Sequence, residues 1–147
     1  MDSKSAQGKV DDQTLDVVVI GFADKISVMI YGDGRLGKLY YVPLSATVSQ
    51  LHPVGMEDGP RDQQVDMFPL PHLTPMPLIG ADSNDIQGRL YASQVASTIS
   101  RQSPEEKRTV VIGLGPDIGP RVDEPITAHH RKQLVEVIRL VEQCRVW

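Results

Sequence analysis

Residues 26–42 read Ile26-Ser27-Val28-Met29-Ile30-Tyr31-Gly32-Asp33-Gly34-Arg35-Leu36-Gly37-Lys38-Leu39-Tyr40-Tyr41-Val42. Two β-prone runs flank Asp33-Gly34, a pair suited to a type I′ turn because both central residues of that turn need positive φ. The expectation is a two-residue hairpin. With that loop Ile30 faces Gly37, Val28 faces Leu39 and Ile26 faces Tyr41, which gathers an apolar set on one side. The other side carries Ser27, Met29, Tyr31, Leu36, Lys38 and Tyr40, a mixture that suits an interface better than a core. A loop of another length would exchange the two faces, since side chains alternate with period two.

Outward from this hairpin, Val17-Val18-Val19-Ile20 and Val110-Val111-Ile112 are apolar at every position. A half-exposed strand would alternate, so unbroken runs mean that both faces of the sheet need cover. Two helices of about 10 Å each span roughly 20 Å, against roughly 24 Å for five strands at about 4.8 Å spacing. One face is then covered and the other is bare, which leaves an apolar patch larger than soluble monomers carry. Dimerisation through the sheet resolves this.

The remaining elements are set by local signals. Residues 1 to about 13 are polar and small, and are expected to fray or to pair only loosely at an edge. Leu15 to Phe22 reads as a strand. From Ser45 to Pro77 six prolines bar helix and remove ladder donors, so this is an extended loop, flexible over residues 52–66, with a short edge strand near Pro77 to Gly80. Asp82-Ser83-Asn84 offers N-cap oxygens to a helix whose apolar face is Ile86, Leu90, Tyr91, Val95 and Ile99, closed by Pro104. Lys107 to Gly115 is a strand. The last helix begins near Glu124-Pro125 with the stripe Ile126, Leu134, Val137, Ile138 and Val141. Ile26, Val28, Ile30, Leu134 and Ile138 are the expected core. The fold class is α+β, a mainly antiparallel sheet with two main helices on one face and the other face left for sheet-on-sheet dimerisation.

At 147 residues the chain is read as a single domain spanning residues 1–147. A formal charge of -4 and the absence of any Lys/Arg run argue against nucleic acid as a partner. No stretch approaches the roughly 20 apolar residues that span a bilayer, and the start lacks a signal-like apolar segment. No membrane partner is expected, and the protein reads as soluble and unexported. One cysteine, Cys144, excludes an internal disulfide and fits a reducing compartment, cytoplasm or nucleus.

Candidate chemistry is sparse. Gly32-Asp33-Gly34-Arg35-Leu36-Gly37 spells the dinucleotide fingerprint, but that motif needs a helix N-terminus to hold the pyrophosphate. Here the glycines lead instead into β-prone Lys38-Leu39-Tyr40-Tyr41-Val42 and then Pro43. His52, His72, His129 and His130 lack the spacing of a known zinc motif, so no metal is expected. Cys144 falls near a helix C-terminus, where the dipole raises a thiol pKa. No catalytic residue or cofactor is assigned, and the chain is not read as an enzyme. Trp147, the one tryptophan, either anchors an interface or packs onto its own sheet edge.

The order of these pieces is itself informative. Phe22-Ala23 ends the first apolar strand, Gly34 to Leu39 leaves the turn, and Leu78-Ile79-Gly80-Ala81-Asp82 leads to a helix. Val110-Val111-Ile112-Gly113-Leu114 and the ending Glu136-Val137-Ile138-Arg139-Leu140 through Cys144-Arg145-Val146-Trp147 complete the series. Together they resemble the proteasome assembly chaperone 3 family over about two thirds of the chain. The resemblance implies a non-catalytic chaperone that pairs with a proteasome assembly chaperone 4-like protein or with itself. It also implies binding to the proteasome α-type ring at the fifth α subunit, without nucleotide or metal. Residues 52–66 and 117–124 are longer than the family pattern. The expected partner interface is Met29, Tyr31 and Tyr40, with Trp147. The rival readings are a dimeric adaptor of another pathway and a small nucleotide-binding protein using Gly32 to Gly37.

Overall fold

A computed structural model of the protein describes residues 2–45, 70, 73–81, 85–120 and 124–147. The elements are β1 (Asp2–Val10), β2 (Gln13–Gly21), β3 (Lys25–Gly32), β4 (Lys38–Pro43), β5 (Met76–Ile79), α1 (Ile86–Gln102), β6 (Thr109–Leu114) and α2 (Ala128–Gln143). They form one six-stranded sheet of order β1-β2-β3-β6-β4-β5. Every pairing is antiparallel except β3 with β6. This is the expected α+β class. The loop expected over residues 52–66 and the capping residues Asp82-Ser83-Asn84 lie outside the described residues.

The turn at Asp33-Gly34 forms, but the hairpin does not. Asp33 and Gly34 have φ of 50° and 77°, and Gly32 and Arg35 exchange both backbone hydrogen bonds, at 3.2 and 3.1 Å. Beyond that bridge β6 enters between β3 and β4. It pairs parallel with β3 (Val28 with Ile112) and antiparallel with β4 (Tyr40 with Ile112). Glycine at 115 permits the entry, since a Cβ there would stand 2.6 Å from Gly32 N and 2.7 Å from Arg35 O. The Gly115 amide donates to Ile30 O at 2.9 Å, and the Gly37 amide donates to Leu114 O at 2.9 Å.

Routing β4 through β6 shifts its phase by one residue, and this corrects the expected faces. Val28, Ile112 and Tyr40 now share one side, while Met29, Gly113 and Leu39 share the other. Leu15, Val17, Val19, Ile26, Val28, Ile30, Tyr40, Val42, Val110, Ile112 and Leu114 are fully buried and join the helices in one core. α1 packs on β4 and β6, and α2 on β1 and β2, both on this inner side.

Residues 2–10 do not fray. β1 pairs with β2 along its whole length, from Asp2 with Gly21 to Val10 with Gln13. Ladder bonds are made by the backbone whatever the side chains are, so polar composition does not prevent a strand. Small residues here also let α2 approach, since a Cβ on Gly8 would stand 3.3 Å from Leu140 Cδ1 and 3.1 Å from Glu136 Oε1.

The helical stripes are rotated from the expected ones. In α1 the buried face is Tyr91, Ala92, Val95, Ala96 and Ile99, whereas Leu90 is half-buried and Ile86 is 72% exposed. In α2 it is His130, Gln133, Val137, Leu140 and Val141, with Leu134 and Ile138 only half-buried beside the core and Ile126 exposed. α1 is capped by Asp85, whose Oδ1 accepts from the Gly88 amide at 2.9 Å. Thr127 caps α2 in a reciprocal box with His130, whose Nδ1 accepts from the Thr127 amide at 3.1 Å.

Candidate interaction surface

Strand register lays out the side of the sheet opposite the helices. One row across it runs Ser5, Val18, Met29, Gly113, Leu39 and Ile79, and the next runs Ser3, Ile20, Ser27, Val111, Tyr41 and Met76. Among the described residues neither helix lies on this side. Val18, Ile20, Met29, Leu39, Tyr41 and Val111 are partly accessible, and Met76 and Ile79 are 44% and 66% exposed. At the centre Gly113 leaves a gap that its neighbours fill. A Cβ there would stand 2.5 Å from Met29 Sδ, 2.9 Å from Leu36 Cδ1 and 3.1 Å from Leu39 Cδ2. The result is an apolar mound of Met29, Leu36 and Leu39, with Tyr31 beside it and Asp16 across from Tyr31. Asp16 accepts from Gln7 Nε2 at 2.9 Å. A largely uncharged, continuous apolar face of this kind has the composition found at the centre of protein–protein interfaces.

Of the four residues singled out in the sequence, Met29 and Tyr31 lie on this face. Tyr40 does not: it is fully buried on the opposite side, beneath α1, and its expected place beside Met29 is corrected to Leu39 and Tyr41. Its hydroxyl donates to Asp85 Oδ2 at 2.9 Å, and Lys38 Nζ reaches the same carboxylate oxygen. Burial and the Asp85 carboxylate both push the Tyr40 phenol up. Burial would raise the Asp85 carboxyl too, but hydrogen bonds from Lys38, the Gly88 amide and Tyr40 outweigh it, and the group stays below the ordinary carboxylate range. Tyr40 therefore locks α1 onto β4. Trp147 is half-buried against the core, with Nε1 donating to Gln102 Oε1 at 3.1 Å at the end of α1.

Leu39 and Tyr41 are surface residues that the hairpin register hid, whereas it placed Leu36 on the open side, where it lies. The one signal for Leu39 and Tyr41 in the sequence is the alternation of β4 itself, read in the other phase.

The glycine turn offers no phosphate cradle. The strand β4 succeeds it, and Arg35 is committed to Asp117 at 2.9 Å. A cleft of about 490 Å³ near the β1–β2 turn gathers Asp11, Asp33, Asp117, Glu124, His129 and His130, but its carboxylates serve as joints. Asp11 pairs with His129 at 2.7 Å, Asp33 accepts from the Thr14 amide at 3.1 Å, and Glu124 pairs with His130 at 3.1 Å. The His129 hydrogen bond, helped by Lys132, holds the Asp11 carboxyl below its ordinary range. Among the described residues no group of three His, Cys, Asp or Glu could hold a metal ion, and no helix is long and apolar enough to cross a membrane. Burial raises the Cys144 thiol, which disfavours the reactive thiolate.

The class so defined is an α+β layer protein: six strands, both helices on one side, and an open apolar side opposite. No protein-family model matches the sequence, and no curated protein matches it. Solved structures do match: a chain from the crystal structure of a chaperone complex for yeast 20S proteasome assembly superposes with a TM-score of 0.63. The match covers 97% of this chain and 98% of that one at 18% identity, and at that identity the likeness is one of fold.

Proposed function

We propose that this chain is a non-catalytic chaperone of proteasome core-particle assembly. It associates through its open sheet face with a second chain, a sister chaperone or another copy of itself. The pair binds the proteasome α-type ring at the fifth α subunit, in the cytoplasm or nucleus. The observation that carries the reading is the open face of Val18, Ile20, Met29, Leu36, Leu39, Tyr41 and Val111 on a fold shared end to end with a proteasome assembly chaperone complex chain. Apolar area of this kind contributes roughly 25 cal/mol per Å² before the costs of association. Affinity capture of the tagged chain from cells, combined with mass spectrometry, tests it. The expected result is enrichment of α-type proteasome subunits and of precursors over the mature core. Recovery of a second chain without any proteasome subunit would favour a dimeric adaptor of another pathway.

A further inference from the structure

Three side chains on the open side converge on one residue of β6. Gly113 stands opposite Met29 of β3 and Leu39 of β4. The Met29 sulfur occupies the volume that any other residue at 113 would need for its own side chain, since a Cβ there would lie 2.5 Å from it. Leu36 Cδ1 and Leu39 Cδ2 border the same notch. A thioether suits this place, being apolar, polarisable and only a weak acceptor. The notch offers no donor to anything more polar: the Gly113 backbone lies in a strand paired on both sides, and the two leucine side chains are hydrocarbon.

Met29 is half-buried, and among the described residues neither helix lies over it, so small solutes reach it from the open side. Hydrogen peroxide oxidises a thioether by two electrons. The sulfur attacks one peroxide oxygen, the S–O bond forms as the O–O bond breaks, and the departing hydroxide leaves as water once it takes the proton of the transferred oxygen. The product, methionine sulfoxide, turns an apolar side chain into a polar one. Its oxygen finds no donor in the notch, so the oxidised side chain turns out to water and leaves the space over Gly113 empty. Cys144 does not compete for the oxidant, because it is fully buried and burial raises its thiol.

We propose that Met29 is a reversible oxidation site that closes the open face: as the thioether it fills the centre of an apolar surface, and as the sulfoxide it sets a polar group there. The proposal rests on the reading of that face as an interface and adds its regulation. A partner seated on the oxidised face would bury the sulfoxide oxygen without a donor, the costly case for any polar group. A partner already seated keeps peroxide from the sulfur. The free chain is therefore the sensitive form, and oxidation blocks association rather than reversing it. Met76, 44% exposed on the outer strand β5, oxidises too, but it lies at the margin of the face, where its sulfoxide stays hydrated.

Capture by the tagged full chain tests this. Wild type and Met29→Leu are each exposed to hydrogen peroxide at a dilution where the chain runs singly, cleared of oxidant with catalase, and returned to cell extract. The readouts are peptide mass spectrometry at Met29 and the amounts of second chain and of α-type proteasome subunits recovered, each protein being compared with its own untreated sample. One added oxygen at Met29 is expected to lower recovery by the wild type about tenfold or more, the scale of one unsatisfied buried acceptor. Met29→Leu, with Met76 still oxidised, should change by less than about twofold, and methionine sulfoxide reductases A and B should restore the wild type. Unoxidised Met29 beside oxidised Met76, full recovery by the Met29 sulfoxide, or an equal fall in Met29→Leu would each overturn the proposal and leave the interface reading standing. An untreated wild type that recovers neither second chain nor subunit would overturn that reading, and the proposal with it.

Discussion

The Tyr91 hydroxyl of α1 lies 3.1 Å from Oε1 of Gln133 in α2, and that oxygen also accepts from the Gly119 amide at 2.7 Å. Gln133 Nε2 donates to Gln13 Oε1 at 2.5 Å and to Asp117 O at 3.1 Å. A fully buried amide thus uses all its hydrogen-bonding capacity to tie both helices to β2 and to the β6–α2 connection. Gln133→Ala strands the half-buried Gly119 amide and Gln13 Oε1 and leaves a cavity beneath α2, and is expected to cost about 3 kcal/mol, against about 1 kcal/mol for Tyr91→Phe. Urea unfolding with unchanged slope checks both.

The two faces of β4 allow folding and the proposed association to be tested separately. Leu39→Asp is expected to abolish association while changing protomer stability by less than about 1 kcal/mol, since the side chain is on the open face. Tyr40→Phe should cost about 1 kcal/mol and leave association intact. Sedimentation and thermal unfolding of the two variants read these outcomes. A loss of association in Tyr40→Phe with none in Leu39→Asp would restore the simple hairpin register.

Acid should weaken the α1–β4 joint. The folded-state pKa of Asp85 lies below its ordinary value, so its ionised form contributes stability at neutral pH. That contribution is lost as pH falls from about 5 through the ordinary Asp value of about 3.9 and below. Asp85→Asn should be less stable than the wild type at pH 7, and the gap should narrow steadily in acid. Stability measured against pH for the pair gives the difference directly, and a gap that widens in acid would reverse the assignment.

Gly80 lies just past the end of β5 with φ of 72°, and a Cβ there would collide with Gly37 O, a backbone atom. Gly80→Ala is therefore expected to destabilise by more than about 1 kcal/mol and to loosen β5 first. Faster amide exchange in Met76, Leu78 and Ile79 than in β3 would report it.

Much of this was legible before any coordinates. Ile26, Val28 and Ile30 alternate toward the core, and Asp33-Gly34 takes the positive φ values that its residues favour. The short edge strand after the proline-rich stretch is there as β5. What a single sequence does not encode visibly is which of several equally apolar strands pair. β6 lies some eighty residues beyond β3, and its insertion depends on the missing side chain at Gly115 as much as on any apolar residue. That insertion moved Tyr40 inside and Leu39 and Tyr41 outside. In the helices, His130 and Gln133 occupy buried positions that hydrophobic periodicity assigns to solvent, because their polar atoms are satisfied internally. The open apolar face was legible as a whole, from the unbroken apolar runs, while the residues on it depended on a register that the turn alone did not fix.

The most direct test of the account is the native mass of the chain as isolated from cells, beside its Met29→Asp variant. The polypeptide weighs 16.2 kDa. The wild type is expected in particles of at least twice that mass, and Met29→Asp is expected to run as the single folded chain. A wild-type protein that is monomeric and folded at 16.2 kDa, with its open sheet face in contact with solvent alone, would contradict it.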